Sequence, residues 1–320
     1  MRVFLTGGTG FIGLALSARL VRDGVDVMSV AEAPPPDWAA GMLGDGVRFA
    51  AIDIRDKEAL TRALKDWRPD SLIHGAALTP DDTVERAGGT AAIFDINVGG
   101  TAIALEAAAE AGIGRVMAFS SGAAYGRTLD DTDVLDEAET ECRPAALYAI
   151  SKLAAEKTAL RLGALHGLSV VTPRLSAAWG PWEYRTRHRR TLSPPWQIVE
   201  AALDGKRPIV PEGAALPLIY AGDAADMLVR LAMSEAEGVV NVGSDRMIDL
   251  AGFAEAALRE AGTAPTGSQE IELFTAGRPP MRLARLEAAI GTLPRTDVAD
   301  ALAETIAWTK KIRSWQAQDA

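Results

Sequence analysis

The sequence predicts an α/β fold: a doubly wound parallel sheet of about seven strands, with a smaller mixed C-terminal part. Three observations carry that expectation. A short apolar run, Val3-Phe4-Leu5, passes into a turn holding Gly7, Gly10 and Gly13, then into an apolar-rich segment of helical spacing, Phe11 to Val21. Strand-like runs and helical patterns then alternate through short loops as far as residue 174. The rhythm breaks after Arg174, and one further apolar run, Val239-Val240-Asn241-Val242, returns late in the chain. Parallel strands connected this way require right-handed crossovers.

Each glycine of the opening turn has a physical task. Gly7 permits the tight exit from the strand, Gly10 lets backbone N–H groups approach a pyrophosphate with no Cβ in the way, and Gly13 lets the helix pack against the strand. The phosphates then sit at the helix N-terminus, where unpaired N–H groups and the helix dipole favour anions. The spacing is Gly-x-x-Gly-x-x-Gly rather than Gly-x-Gly-x-x-Gly, but its place between strand and helix predicts nucleotide binding by Gly7, Gly10, Phe11, Ile12 and Gly13. Asp23-Gly24 ends this helix, and Val25–Val30 is the second strand. Its end approaches the adenosine ribose, where an acidic residue accepts from the hydroxyls of NAD. Ala31 holds the expected position and Glu32 the next, with no Arg or Lys nearby for a 2′-phosphate. NAD is therefore favoured, with NADP not excluded.

Pro34–Pro36 reads as a surface turn or extended link. Val47–Ile52 is the third strand, and Asp53 after it either accepts from an adenine amino group or caps the helix at Lys57–Trp67. Ser71–His74 is the fourth strand. It runs into Gly75-Ala76-Ala77, small residues past which a cofactor can lie close to the backbone, and His74 reads as a packing residue. A helix from Ala91 to Ala111 carries Asn97, and Arg115–Phe119 is the fifth strand. Ligands of such sheets bind at the carboxyl ends of the strands, so Ser120 to Gly126 is a candidate site.

An acid-rich loop follows, with Asp130, Asp131, Asp133, Asp136, Glu137, Glu139 and Glu141, and reads as a solvated connection closed by Pro144. A helix opens at Tyr148-Ala149-Ile150-Ser151-Lys152, and Leu168–Thr172 is the sixth strand, ending in Pro173-Arg174. Beyond it come a turn at Trp179–Trp182 and a basic run (Arg185, Arg187, His188, Arg189, Arg190). A helix at Gln197–Leu203 precedes an extended pair near Pro208–Pro211 and Leu216–Tyr220. Helices at Asp223–Met233, Leu250–Ala261 and Val298–Trp315 surround the seventh strand. The expected organisation is a dinucleotide-binding domain, 1–174, completed by a strand near 239–243, interleaved with a substrate-binding part, 175–320.

Composition narrows the function classes. With 320 residues and 48% hydrophobic content the chain builds a real core. A net charge of −10 opposes binding to nucleic acid or to an anionic membrane. Cys142 is the only cysteine, which excludes an intramolecular disulfide and fits a reducing compartment; with no His nearby it reads as incidental. The start does not resemble a signal peptide, and no run of about 18 apolar residues suggests a membrane span. A soluble, cytoplasmic protein without a metal site is expected.

Tyr148 and Lys152, four apart at a helix start, share one face. A free phenol titrates near pH 10, and an ammonium beside it favours the phenolate. Lys152 can also donate to the nicotinamide ribose. Ser121, at the mouth of a neighbouring strand, can hold a substrate oxygen whose proton Tyr148 handles. The set suits removal of a proton from an alcohol while its carbon gives hydride to a nicotinamide.

With these motifs the chain resembles the extended short-chain dehydrogenases/reductases, the group that holds the NAD-dependent nucleotide-sugar epimerases and dehydratases. The matching segments are Thr6–Gly13, Asp53-Ile54, His74–Ala77, Asn97–Thr101, Ser120–Gly126, Tyr148–Lys152, Pro173–Pro181, Ile219–Ala225 and Asn241–Ser244. The resemblance implies that Tyr148 is the catalytic acid/base, Lys152 its partner and Ser121, four before Tyr125, the third member. It places Asp53 and Ile54 at adenine, Ala76 and Ala77 at the middle of the cofactor, and Pro173 to Ser176 at the nicotinamide. Asn97, Tyr148 and Lys152 complete the cofactor set, and relatives imply a homodimer formed through the helices that hold Asn97 and Tyr148.

Departures from the family pattern narrow the expected activity. Family dehydratases carry Asp-Glu directly after the catalytic hydroxyl; Gly122-Ala123 stands here, which argues against dehydration. Nucleotide-sugar enzymes carry an asparagine three residues after the Pro-Arg arginine; this chain has Ala177, and Trp179 in place of the usual Tyr before Gly-Pro. The leading expectation is thus an NAD(P)-dependent oxidoreductase acting on a secondary alcohol or ketone of a small carbohydrate, polyol or sugar acid. Ser121, Gly122, Arg174, Arg185 and Arg187 are its candidate substrate contacts, and the two last suit an anionic substrate through bidentate contacts. The alternative is an NAD-retaining sugar or nucleotide-sugar 4-epimerase. A non-catalytic dinucleotide sensor is disfavoured because Ser121, Tyr148 and Lys152 are all present.

Overall fold

The computed structural model describes residues 1–79, 90–126, 132–186, 192–273 and 278–318. In chain order its main sheet is built from β1 (Arg2–Thr6), β2 (Asp26–Ala31), β3 (Val47–Ala51), β4 (Ser71–His74), β5 (Arg115–Ala118), β6 (Ser120–Ser121), β7 (Ser169–Leu175) and β8 (Gly238–Val242). The helices are α1 (Phe11–Arg22), α2 (Asp37–Leu43), α3 (Lys57–Trp67), α4 (Thr90–Glu110), α5 (Leu147–His166), α6 (Pro194–Leu203), α7 (Ala221–Met233), α8 (Leu250–Ala261), α9 (Ala284–Ile290) and α10 (Val298–Gln318). All sheet pairings are parallel, in the order β3-β2-β1-β4-β5-β7-β8, with short β6 continuing alongside β7. The doubly wound Rossmann architecture expected from the sequence is therefore present.

Alternation along β1 shows why the sheet is covered on both faces. Val3 and Leu5 enter one apolar cluster and Phe4 another, all three fully buried. The first cluster includes Leu14 and Leu16 of α1 and Leu228 of α7; the second includes Leu60 and Leu64 of α3 and Ala104 and Leu105 of α4. A third cluster, with Trp179, Ile198, Leu250 and Phe253, forms the core of the C-terminal part. The chain starts at β1 in mid-sheet, runs out to β3, then crosses back to β4 on the other side of β1. That reversal opens a crevice at the carboxyl ends of β1 and β4, where open α/β sheets hold ligands.

Several local readings are adjusted. The segments at 208–211 and 216–220 do not pair with each other: Lys206–Ile209 pairs with Gly267–Glu270, Ala215–Leu216 with Ile248–Asp249, and Ile219–Tyr220 with Ala178–Trp179. Asp56, not Asp53, caps α3, its Oδ1 accepting from Ala59 N–H at 2.9 Å. Pro173 lies inside β7 where pairing passes from β5, ending at Val171, to β6, starting at Arg174, so its missing N–H falls at the changeover. Among the described residues α4 alone is long and apolar enough to cross a bilayer, but Asn97, Thr101, Ala104, Leu105, Ala107 and Ala108 are buried in the fold, and it is a core helix. The acid-rich loop is partly structural, since Leu135 is buried and both Glu137 oxygens receive hydrogen bonds from Asn241; Asp130 and Asp131 lie outside the described residues.

Candidate active site

The glycine turn is shaped for a close ligand. Gly7 has φ +71° and its N–H donates to the Val30 carbonyl at 2.8 Å; a Cβ there would stand 2.6 Å from Ala76 N. A Cβ on Gly13 would stand 2.6 Å from Gly8 Cα, which is the close strand–helix packing expected of it. At Gly10 a Cβ would meet the Gly7 carbonyl oxygen at 3.3 Å, a tight contact, so this point of the turn is kept clear by having no side chain. Gly10 is also the N-cap of α1 and supplies no side-chain acceptor, and a helix N-terminus of this kind favours an anion through its dipole.

From this turn a cleft of about 1460 Å³ extends in both directions. Gly7, Gly10, Phe11, Ile12 and Gly13 line its middle, with Ala76 and Ala77 of the run after β4. Glu32, Asp53 and Ile54 line the part served by β2 and β3, while Ser121, Tyr148, Lys152 and Ser176 line the part served by β6, α5 and β7. The expected cofactor and catalytic residues, Asn97 and Pro173 excepted, thus share one wall. Arg55 also lines the cleft, although no cation was expected beside the ribose. Its guanidinium is bound to both oxygens of Asp53, with Nε at 2.9 and 3.1 Å, and this pairing holds the Asp53 carboxyl below its ordinary range.

Tyr148 and Lys152 lie in the first turns of α5. Lys152 is buried and its Nζ donates to the Phe119 carbonyl; burial lowers its ammonium to about 8, while Glu156 one turn on acts in the opposite sense. Ser121 Oγ accepts from Ala123 N–H at 3.1 Å and so starts the turn Gly122–Tyr125. Asn97 is buried behind the wall rather than on it. Its Oδ1 accepts from Leu78 N–H at 2.8 Å, and its Nδ2 donates to the Leu78 carbonyl at 3.1 Å and to Ser151 Oγ at 2.9 Å. Ser151 in turn donates to the Tyr148 carbonyl at 2.7 Å. Asn97 therefore joins the loop after β4 to the start of α5, and the five-residue π-turn Asp95–Gly99 places it there.

His74 has a related supporting role. Thr101 uses its proton on the Asn97 carbonyl at 2.6 Å, so His74 Nε2–H donates to Thr101 Oγ1 at 3.1 Å and Nδ1 accepts from Thr6 Oγ1 at 2.8 Å. Burial, with Lys152 adding to it, lowers the imidazole to about 3 and keeps it neutral.

The expected substrate contacts fare unevenly. Arg174 is 3% exposed, and its Nε and Nη2 each reach a Glu156 oxygen at 2.9 Å while its guanidinium covers the Tyr125 ring at 4.7 Å. It is an internal ion-pair partner and does not line the cleft. Glu156 also accepts from Ser120 at 2.7 Å, and Tyr125 donates to Asn241 at 2.7 Å, so a buried polar chain supports the Ser121 strand from behind. Gly122 is buried and does not line the cleft; a Cβ on it would meet the flexible end of Met281 at 2.6 Å. Pro173 is buried in β7 beside the wall. Arg185 is exposed, pairs with Glu200 at 3.6 Å and does not line the cleft. Arg187 lies outside the described residues, with His188, Arg189 and Arg190.

One residue absent from the sequence reading belongs here. Arg278 lines the cleft near Tyr148, and its Nε is buried with no hydrogen-bond partner among the described residues. Burial disfavours its charge, and Tyr148 is the influence that supports it. A lone arginine in a Gly-Arg-Pro-Pro stretch 130 positions from the tyrosine carries no local signal; only the tertiary fold brings the two together. Among the described residues no group of His, Cys, Asp or Glu is arranged to hold a metal.

The sequence model of the "NAD dependent epimerase/dehydratase family" matches residues 3–243. The chain is similar to a dTDP-glucose 4,6-dehydratase of Streptomyces niveus, 28% identical over 98% of this chain and 94% of the relative. Among solved structures it is similar to a UDP-glucose 4-epimerase of Thermus thermophilus in complex with NAD, 27% identical with TM-score 0.80, covering 97% of this chain and 99% of that one. A UDP-glucose 4-epimerase of Thermotoga maritima with UDP-glucose, 20% identical, shares the fold at TM-score 0.84 over 98% of this chain and all of that one (100%).

Proposed function

The chain belongs to the NAD-dependent epimerase/dehydratase family, enzymes whose cofactor is NAD, and from that premise we propose that it is a nucleotide-sugar 4-epimerase that retains its NAD. The observation that carries this reading is Arg278, a partly buried guanidinium whose Nε has no hydrogen-bond partner among the described residues, facing the acid/base residue in an acidic chain. Such a group suits an anionic substrate, and a diphosphate offers the paired oxygens a guanidinium fork accepts. This reading replaces the small carbohydrate, polyol or sugar acid expected as the leading substrate, and it makes Ala177 a departure that Arg278 offsets. Elimination of water is disfavoured because Gly122-Ala123 follows Ser121 directly, where family dehydratases carry Asp-Glu.

NAD when bound supplies a hydride acceptor that can also return the hydride. The residues fit it: the turn at Gly10, which has no side chain, and the start of α1 would hold the pyrophosphate, and Glu32 and Asp53 would serve the adenosine end. Tyr148 takes the proton from the substrate 4-hydroxyl and later gives it back. Ser121 donates to the same oxygen and holds it against Tyr148. The Lys152 ammonium stabilises the phenolate through this exchange. The same three residues would act on the C4 oxygen in both directions of the exchange, which is what inversion at that centre requires of them.

The test offers UDP-glucose and dTDP-glucose to the purified protein and follows products by NMR. Inversion at C4 without net absorbance change at 340 nm is expected; a 4-keto-6-deoxy product or stoichiometric NADH would refute the epimerase reading. Tyr148→Phe should lower turnover by roughly 10²–10⁴-fold with NAD still bound. Arg278→Ala should raise KM by about 10- to 100-fold, the range of a charge-assisted hydrogen bond.

A further inference from the structure

Tyr184 has no part in proton transfer, yet its hydroxyl donates to the carbonyl of Thr9, inside the glycine turn. Both residues line the cleft, so this bond crosses from the segment after β7 to the turn that meets the pyrophosphate. The Tyr184 ring stands edge-on to Trp38 at 5.5 Å; Trp38 in turn stacks on Trp182 at 6.2 Å and meets Trp308 edge-on at 5.4 Å. A segment of the C-terminal part is thereby fastened to α2 and α10 as well as to the turn.

The backbone that delivers Tyr184 is held on both sides. Trp182 adopts φ +73°, a left-handed conformation that bulky residues rarely take and that persists only where the surroundings over-determine it. Glu183 is fully buried and accepts from the Ser193 N–H at 2.7 Å and from its hydroxyl at 2.6 Å, which fixes it to the N-cap of α6. Both features fix the place of one phenol against one carbonyl. Burial pushes that phenol up to about 12, so it remains a donor throughout the physiological range.

We propose that Tyr184 is the residue that retains the dinucleotide: its bond to Thr9 braces the glycine turn where it meets the cleft, and the cofactor leaves only when this bridge parts. The inference rests on the retained-cofactor reading above, and its test follows cofactor release rather than sugar inversion. Tyr184→Phe keeps the ring against Trp38 and removes only the hydroxyl bond. Wild type and variant are loaded with NADH and mixed rapidly with excess NAD, and the loss of NADH fluorescence gives the release rate. Losing one hydrogen bond of ordinary strength corresponds to an increase of about 3- to 10-fold, with less NAD remaining bound after gel filtration.

A release rate within twofold of wild type overturns the proposal. So does a lower melting temperature with unchanged release, which would mark the bond as packing only. If the protein inverts no sugar but the variant still releases NADH faster, the substrate assignment falls and the role of Tyr184 stands. If it inverts sugars and release is unchanged, only the role of Tyr184 falls.

Discussion

Acidification tests the ring behind the cofactor turn. His74 is 2% exposed between Thr6 and Thr101, and burial together with Lys152 lowers its imidazole from 6.5 to about 3. Between those values an unfolded chain binds a proton that the native state excludes. The stability tied to the neutral ring is therefore fully present above pH 6.5 and is lost progressively as pH falls towards 3. At 1.36 kcal/mol per unit, moving from pH 7 to pH 5 removes about 2 kcal/mol from this residue alone. Carboxylates titrate over part of the same range, so the comparison needs a variant. His74→Gln cannot take up the proton and can still reach both threonines. Urea unfolding at pH 7 and pH 5 should show the variant less stable at pH 7 by about 1–3 kcal/mol, for imperfectly replaced buried hydrogen bonds. Its further loss on going to pH 5 should be smaller than that of wild type by about 2 kcal/mol. Equal losses in the two proteins would refute a neutral, buried His74.

Two further substitutions follow from the site geometry. Glu156→Gln leaves the buried Arg174 without its counter-charge and should cost about 3–5 kcal/mol in denaturant unfolding. The same change removes the influence that raises Lys152, so any folded variant should lose activity at a lower pH on the alkaline side than wild type, whose Lys152 sits at about 8. Gly7→Ala forces a Cβ into a left-handed position 2.6 Å from Ala76 N; it should cost about 1–2 kcal/mol from backbone strain and weaken NAD binding, read by titration calorimetry.

Much of the site was legible because its parts are local. The glycine turn, the Tyr148–Lys152 pair one helical turn apart, and Ser121 at a strand mouth each depend on residues adjacent in sequence, and the strand–helix rhythm places them at one sheet edge. Long-range partnership was not legible. Arg174 looked like a substrate contact because it follows a strand end, but the Glu156 that neutralises it lies on a different element. Asn97 reads as a cofactor residue by its motif, and only the π-turn shows that its amide faces the loop after β4 instead. Arg278 and Tyr184 had no pattern to mark them, since each matters through one contact made across the tertiary structure.

The outermost position of β8 also bears on synthesis of the chain. Thr172 of β7 bonds to Gly238, 66 residues later. At about 5–20 residues per second on the ribosome, β7 emerges roughly 3–13 s before its neighbour. During that interval a nearly finished nucleotide fold presents a bare, apolar strand edge, the feature most prone to pairing with another nascent chain. Chaperone engagement of this protein should therefore be concentrated between completion of β7 and arrival of β8, and ribosome stalling within that window should be the most damaging to yield.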